Sequence, residues 1–282
     1  MRFAYCNLMY LMVLYIVSGG RRTSQADNSH SSGVGVGPTK LKNFFKKLLT
    51  SCNLYAIMVT EPRERKELNQ MYYLMLDTET TNSIDDPLTY DIGFAIIDEE
   101  ATVYEAYSFA VADIFLDKEL MASAYFAEKI PTYWEEIKAG TRTLAKLETI
   151  RRTLNRVCRE YAVGAIVAHN ARFDYRSTTL SRRYTTSSKY RYFLPYGVEI
   201  WDTLKMAREV FKDDESYGQF CYENDFLTKR GCRRYTAEIL YRYITQNVDF
   251  VEAHTGLEDV LIEAQIFAEC LRRGATNCKL WG

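Results

Sequence analysis

Histidine is scarce in this chain, with three in 282 residues. The seven cysteines include no Cys-x-x-Cys pair. Cys221 and Cys232 are eleven apart, Cys270 and Cys278 eight, and none of this is metal-ligand spacing. The five cysteines beyond residue 71 therefore read as free thiols of a reducing cytosol. A long apolar run is missing too. Residues 3–18 are mostly apolar, between Arg2 and Gly19-Gly20-Arg21-Arg22, but a spanning helix needs about 20 such residues. Strong positive charge is also absent, with a net charge of −1. Residues 1–70 carry ten Lys and Arg against four Asp and Glu, which leaves 26 against 33 in residues 71–282. An acidic domain of this kind does not hold duplex nucleic acid tightly by charge alone. The 47% apolar content and 22 tyrosines are ample for a buried core, and the length admits one to two domains.

The first seventy residues allow three readings. The apolar run suits a signal-peptide core with a cleavage site at Val17-Ser18-Gly19, and a membrane partner follows only if that run is genuine. Residues 23–40 are rich in Ser and Gly and read as a disordered linker, and Lys42–Leu49 matches a short amphipathic helix. The third reading is upstream translation. Lys66-Glu67 can be encoded by AAGGAG, a ribosome-binding sequence, three codons before Met71. The expectation is a domain over 71–282 preceded by an extension that is no part of the native protein. Native peptides from residues 40–66 would refute it.

What is present starts at Tyr73-Leu74-Met75-Leu76, an apolar run closed by Asp77-Thr78-Glu79. Spacing i, i+2 puts both carboxylates on one side of a strand. A second run, Ala165–Ala168, leads into His169-Asn170-Ala171-Arg172-Phe173-Asp174. Near the C-terminus, His254-Thr255-Gly256-Leu257-Glu258-Asp259 opens a helix. Two of the three histidines sit in these motifs. His254 and Asp259 are five apart and share no helical face, which puts His254 on the approach to the helix and Asp259 in its first turns.

Periodicity predicts strands over 72–79, Tyr90–Ile97 and Thr102–Val111, with a tight hairpin at Asp98-Glu99-Glu100-Ala101. Residues 112–142 are ambiguous and partly helical. Leu144, Leu147, Ile150, Leu154, Val157 and Tyr161 mark an amphipathic helix. Strand Ala165–His169 precedes helix Ala171–Tyr184, and strand Val198–Trp201 precedes helix Leu204–Phe211, with Asp202 as its N-cap. Thr236–Ile244 and Leu257–Arg272 are the last helices. The order is βββαβαβα.

The three motifs together resemble the DnaQ-like family of 3′–5′ exonucleases, in its DEDDh variant with four acidic residues and one histidine. The family pattern is Asp-x-Glu-Thr-Thr-Gly, then His-Asn-Ala-x-Phe-Asp, then His-x-x-x-x-Asp. It is met by Asp77-Thr78-Glu79-Thr80-Thr81, His169–Asp174 and His254–Asp259, with Asn82 in place of the glycine. Asn tolerates positive φ, so the turn survives. Trp201-Asp202-Thr203-Leu204 with Ala207-Arg208 is similar to an intervening segment, and the resemblance spans about residues 71–275.

The resemblance implies an α/β, ribonuclease H-like fold: a mixed five-stranded sheet, strand two antiparallel, flanked by helices. It implies a metal-dependent exonuclease acting at 3′ ends of single-stranded DNA or RNA with two divalent cations, Mg²⁺ or Mn²⁺. Asp77 would bridge both ions, Glu79, Asp174 and Asp259 would complete their shells, and His254 would be the general base. Gly256 would permit this histidine to swing in. Backbone groups around Thr80 and Thr81, in the segment that includes Thr78, would hold the 3′ hydroxyl. Phe173 would pack near the terminal base or anchor the core, and Asn170 would bond near the site or cap the following helix. His169 reads as structural.

Arg172, Arg176, Arg182, Arg183, Lys189 and Arg191, interleaved with tyrosines, either track a single strand or form a solvated face. Lys229, Arg230, Arg233 and Arg234 beside Tyr235 are a second such cluster, and Asp213-Asp214-Glu215 reads as a surface loop. The expected role is a stand-alone cytoplasmic nuclease, of a bacteriophage or bacterium, since no polymerase domain or clamp-binding motif is present. The alternatives are a polymerase's proofreading subunit, with the polymerase as partner, and a non-catalytic binding module.

Overall fold

The computed structural model describes residues 70–81 and 86–281, all within one compact unit. The readings for residues 1–69 and the turn at Asn82 lie outside the described residues. In chain order the elements are β1 (Tyr73–Thr80), β2 (Thr89–Ile97) and β3 (Val103–Val111), then helices α1 (Ala112–Phe115) and α2 (Lys118–Met121). A 3₁₀ turn (Ala127–Lys129), α3 (Ile130–Ala139), β4 (Thr143–Ala145) and α4 (Leu147–Glu160) follow. The remainder is β5 (Ala165–Ala168), α5 (Ala171–Thr185), β6 (Glu199–Asp202), α6 (Thr203–Val210), α7 (Glu215–Glu223), α8 (Ala237–Thr245) and α9 (Gly256–Arg272).

The strands form a six-stranded sheet in the order β4-β3-β2-β1-β5-β6. β2 runs antiparallel to β1 and β3, and the other pairs are parallel. This is the ribonuclease H-like arrangement the resemblance implies, with β4 as a sixth, edge strand. At three residues β4 is too short to show alternation, so no period-two pattern marks it. The ambiguous stretch resolves into α1, α2, the 3₁₀ turn and α3. Pro131 sits in the first turn of α3, and Gly140, at φ 78°, ends it. α7 carries no marked periodicity and contains Gly218, and sequence reading missed it. Its N-cap is Asp214, whose carboxylate accepts from the Tyr217 amide at 3.0 Å and so is more than part of a loop.

Alternation along the central strands divides the core in two. Leu74 and Leu76 of β1, with Tyr90, Ile92, Phe94 and Ile96 of β2, face a cluster that includes Leu147, Ile150, Leu154 and Val157 of α4. Tyr73 and Met75 face the other cluster, with Val260, Ile266 and Phe267 of α9. Both faces of β2 are therefore covered, and its nine residues are all buried.

One close approach positions the C-terminal helix. A Cβ built on Gly93 of β2 would lie 2.1 Å from the Gly256 carbonyl carbon and 2.2 Å from the Leu257 nitrogen. Conversely, a Cβ on Gly256 would meet the Gly93 nitrogen at 2.6 Å. Gly256 is buried, and its amide donates to Asp91 Oδ2 at 3.0 Å. Its lack of a side chain is what this close approach requires. The unusual backbone is at His254 itself, at φ 51°.

Candidate active site

The end of β1 delivers Asp77 and Glu79. The first turn of α5 delivers Asp174, the first turns of α9 deliver Asp259, and the segment before α9 delivers His254. All five line one open cavity of about 530 Å³, together with Thr78, Asn170 and Phe173. Glu79, His254 and Asp259 each bring a ligand atom within 4.8 Å of the others'. The Asp259 Oδ1 atom is buried with no hydrogen-bond partner among the described residues. An orphaned carboxylate oxygen beside two further donors suits a cation, and a set rich in carboxylate oxygen suits a hard one.

The Thr78 hydroxyl donates to Asp174 Oδ1 at 2.8 Å. The threonine lines the cavity, ties β1 to α5 and fixes one carboxylate. Thr80 and Thr81 do not line the cavity. The Thr80 carbonyl accepts from the Tyr125 amide at 3.3 Å, and the Thr81 amide donates to the Leu88 carbonyl at 2.8 Å. Those two backbone groups are thus committed within the fold.

Asn170 occupies the N-cap position of α5 at φ 66°, without a side-chain capping bond, so its amide side chain is left toward the cavity. Its backbone N–H donates to Asp202 Oδ1 at 3.1 Å, which also accepts from Leu204 as the expected N-cap of α6. Phe173 is 40% exposed on the cavity wall, which rules out a simple core anchor. His169 Nε2 donates to the Tyr235 carbonyl at 2.8 Å, and its Nδ1 meets the Thr203 hydroxyl at 2.9 Å. Burial lowers its pKa and keeps it neutral, as a structural histidine.

His254 stacks on Phe126, with centroids 4.3 Å apart and planes 9° apart. Burial and then the nearby Lys129 ammonium lower its pKa. Sequence reading missed three acidic neighbours. Glu263 lies one turn after Asp259 on the same helical face, a spacing readable in advance. Its carboxylate accepts from the His169 amide at 3.2 Å. Glu252 lines the cavity with an oxygen 3.8 Å from His254 Nδ1. Asp91 is fully buried and pairs in register with Glu79. It accepts from Tyr133 at 2.7 Å, pairs with Arg142, and holds the start of α9 through the Gly256 amide.

Basic residues contribute to the same cavity. Arg208, Arg233 and Arg234 line the cavity. Arg233 Nη1 is committed to the carbonyls of Phe211, Lys212 and Asp214 at 2.8–2.9 Å. Arg208 and Arg234 are exposed and have no ion-pair partner among the described residues. In the other cluster, Arg182 is buried and pairs with Glu148 at 2.8 Å, a structural link between α5 and α4.

Crowding sets the electrostatics. Burial, then Asp259 and Asp91, push Glu79 up to about 9. Burial, then Glu252 and Glu258, push Asp259 up to about 8, and burial raises Asp174 to about 7. Asp77 is raised well above the carboxylate range by burial and by Glu263, Asp174, Asp259 and Glu79. A raised folded-state pKa contributes stability below the unfolded value near 4, and that contribution is lost as pH rises through the folded value. In chelator, stability should therefore fall as pH rises toward the Glu79 value of about 9. Mg²⁺ or Mn²⁺ should restore it, by about 2.7 kcal/mol at a hundredfold excess over Kd. Melting in chelator and in cation at about pH 5 and about pH 9 checks this, and a cation effect no larger at the higher pH contradicts it.

Neither family models nor curated proteins match this chain in sequence. Three solved structures show similar folds. Exonuclease X in complex with 5′-overhanging duplex DNA is 18% identical over 72% of this chain and 93% of that one, with a TM-score of 0.41. The nuclease domain of 3′hExo, a DEDDh family member bound to rAMP, is 9% identical over 74% and 96%, with a TM-score of 0.49. Exonuclease I from Methylocaldum szegediense is 17% identical over 72% and 40%, with a TM-score of 0.43. All three carry the name of an exonuclease or nuclease. At such identities the likeness concerns the fold.

Proposed function

We propose that this chain is a metal-dependent exonuclease that hydrolyses phosphodiester bonds at 3′ ends of single-stranded DNA or RNA, releasing nucleoside 5′-monophosphates. The observation that carries this reading is the meeting of Asp77, Glu79, Asp174, Asp259 and His254 around one cavity, with the Asp259 oxygen left unpartnered. The four carboxylates would hold two divalent cations, Mg²⁺ or Mn²⁺. When bound, such ions supply an activated water and neutralise charge at the leaving oxygen.

The chain's own residues supply the rest. His254, its pKa lowered, is largely neutral at neutral pH and can take the proton of the attacking water. Phe126 holds the plane of its ring. Thr78 keeps Asp174 oriented, and Asp91 anchors the segment that carries Asp259. Phe173 offers a partly exposed face to the terminal base, and Asn170 a free amide. Arg208 and Arg234 meet the phosphates. We place this activity in residues 71–282, as a stand-alone enzyme. No helix of the described residues is long and apolar enough to cross a membrane.

The test uses the full chain with oligonucleotides labelled at the 3′ or the 5′ end, DNA and RNA, with Mg²⁺ or Mn²⁺ and with chelator. A 3′ label should leave at once as a mononucleotide, and a 5′ label should give a shortening ladder. His254→Ala should lower kcat by about 10² to 10⁴ and remove the acidic limb of the pH profile. Absence of metal-dependent mononucleotide release would favour the binding-module alternative.

A further inference from the structure

A second cavity of about 330 Å³ adjoins the first and shares Asn170, Leu204 and Arg208 with it. Its other walls are Arg172, Lys205 and Trp281, with Asp202 and Leu280 beneath. Residues 278–281 build its outer side by extending the sheet past β6. The Asp202 amide donates to the Cys278 carbonyl at 2.7 Å, and the Leu280 amide donates to the Ile200 carbonyl at 2.8 Å. Lys205 Nζ donates to the carbonyls of Lys279 and Leu280 at 2.8 and 3.0 Å. The tail is therefore pinned, and Trp281 is held in place.

Trp281 is nonetheless 60% exposed. It packs edge-to-face on Tyr175, with centroids 4.7 Å apart and planes at 82°, so Tyr175 supports the ring without stacking on it. Arg172 and Arg208 are exposed, and neither has an ion-pair partner among the described residues. The cavity thus offers an aromatic face and two cations without ion-pair partners among the described residues, and it shares residues with a site that would hold a strand's 3′ end.

We propose that this second cavity is a subsite for an upstream nucleotide of the same single strand, with its phosphate between Arg172 and Arg208 and its base on Trp281. The proposal rests on the nuclease reading for its direction along the strand. Aromatic rings take bases without regard to sequence, and only bases free of a duplex can lie on them. The subsite therefore selects an unpaired 3′ tail longer than the nucleotide being removed. It also answers the acidic charge of the domain, because local cations and stacking replace a broadly basic surface.

The test compares the full-length protein with Trp281→Ala, Trp281→Phe and Arg172→Gln. Anisotropy of a labelled single-stranded oligonucleotide of about 12 nucleotides reads binding, in a background where Asp77→Asn prevents turnover. A p-nitrophenyl ester of a nucleoside 5′-monophosphate fills only the first site and reads chemistry in the wild-type background. Trp281→Ala should weaken oligonucleotide binding about tenfold. Trp281→Phe should recover most of that, and Arg172→Gln should lower the salt slope by about one. Ester turnover should be unchanged in each. Undiminished binding in Trp281→Ala, or equal losses on ester and oligonucleotide, overturns the subsite. A wild type that binds the oligonucleotide through Trp281 but hydrolyses nothing overturns the nuclease reading and leaves the subsite standing.

Discussion

Asp77→Asn should abolish metal-dependent hydrolysis, with a fall of at least about 10³-fold, because bound cations contribute several kcal/mol to the transition state. Asp77 is singled out by its surroundings. Burial and then Glu263, Asp174, Asp259 and Glu79 all raise its pKa, so four other carboxylates of the site act on it. An amide of the same shape keeps the packing but removes the charge that a cation needs. The same change should not weaken the fold in chelator, since it removes one ionisable acid from a crowded set that resists ionisation. The expected signature is lost activity, an unchanged or raised melting temperature in chelator, and a reduced stabilisation by Mg²⁺ or Mn²⁺. A variant that retains more than about a tenth of wild-type turnover would remove Asp77 from the cation site. One that melts lower in chelator would mean that its carboxylate holds the structure.

The sheet and its flanking helices were legible because both periods are strong here. β1 and β2 alternate between two clusters, and α4 carries five buried apolar positions at helical spacing. β4 and α7 were illegible for different reasons, one being three residues long and the other carrying a glycine whose space is filled by the Arg233 guanidinium. In the site, the motifs named five candidate residues, Asp77, Glu79, Asp174, His254 and Asp259, and the structure sets all five around one cavity. The neighbours that set their charge went unread. Glu263 was marked only by its spacing from Asp259, and Asp91 only as an acid inside an apolar strand. The fixed backbone of Thr80 and Thr81 depends on partners at Tyr125 and Leu88, which local sequence does not disclose.

Gly93→Ala should be the most damaging small substitution outside the acidic cluster. The added Cβ would lie 2.1 Å from one backbone atom and 2.2 Å from another, at the first turn of α9. Neither can rotate aside as a side chain would, so the helix must move or the strand must bow. Overpacking with no soft neighbour costs about 3 kcal/mol or more. The damage would extend to the chemistry, because the start of α9 positions Asp259 and the preceding His254. Gly140→Ala is the matched control. Its φ of 78° disfavours any side chain, but a Cβ there meets nothing within 4 Å. That change should cost about 1 kcal/mol and leave turnover intact. Denaturant unfolding with the cation-induced shift in melting temperature distinguishes the two. Gly93→Ala should lose both stability and the cation response, and Gly140→Ala only a little of the first. If Gly93→Ala keeps a full cation response at wild-type stability, the contact between β2 and α9 is not what places Asp259.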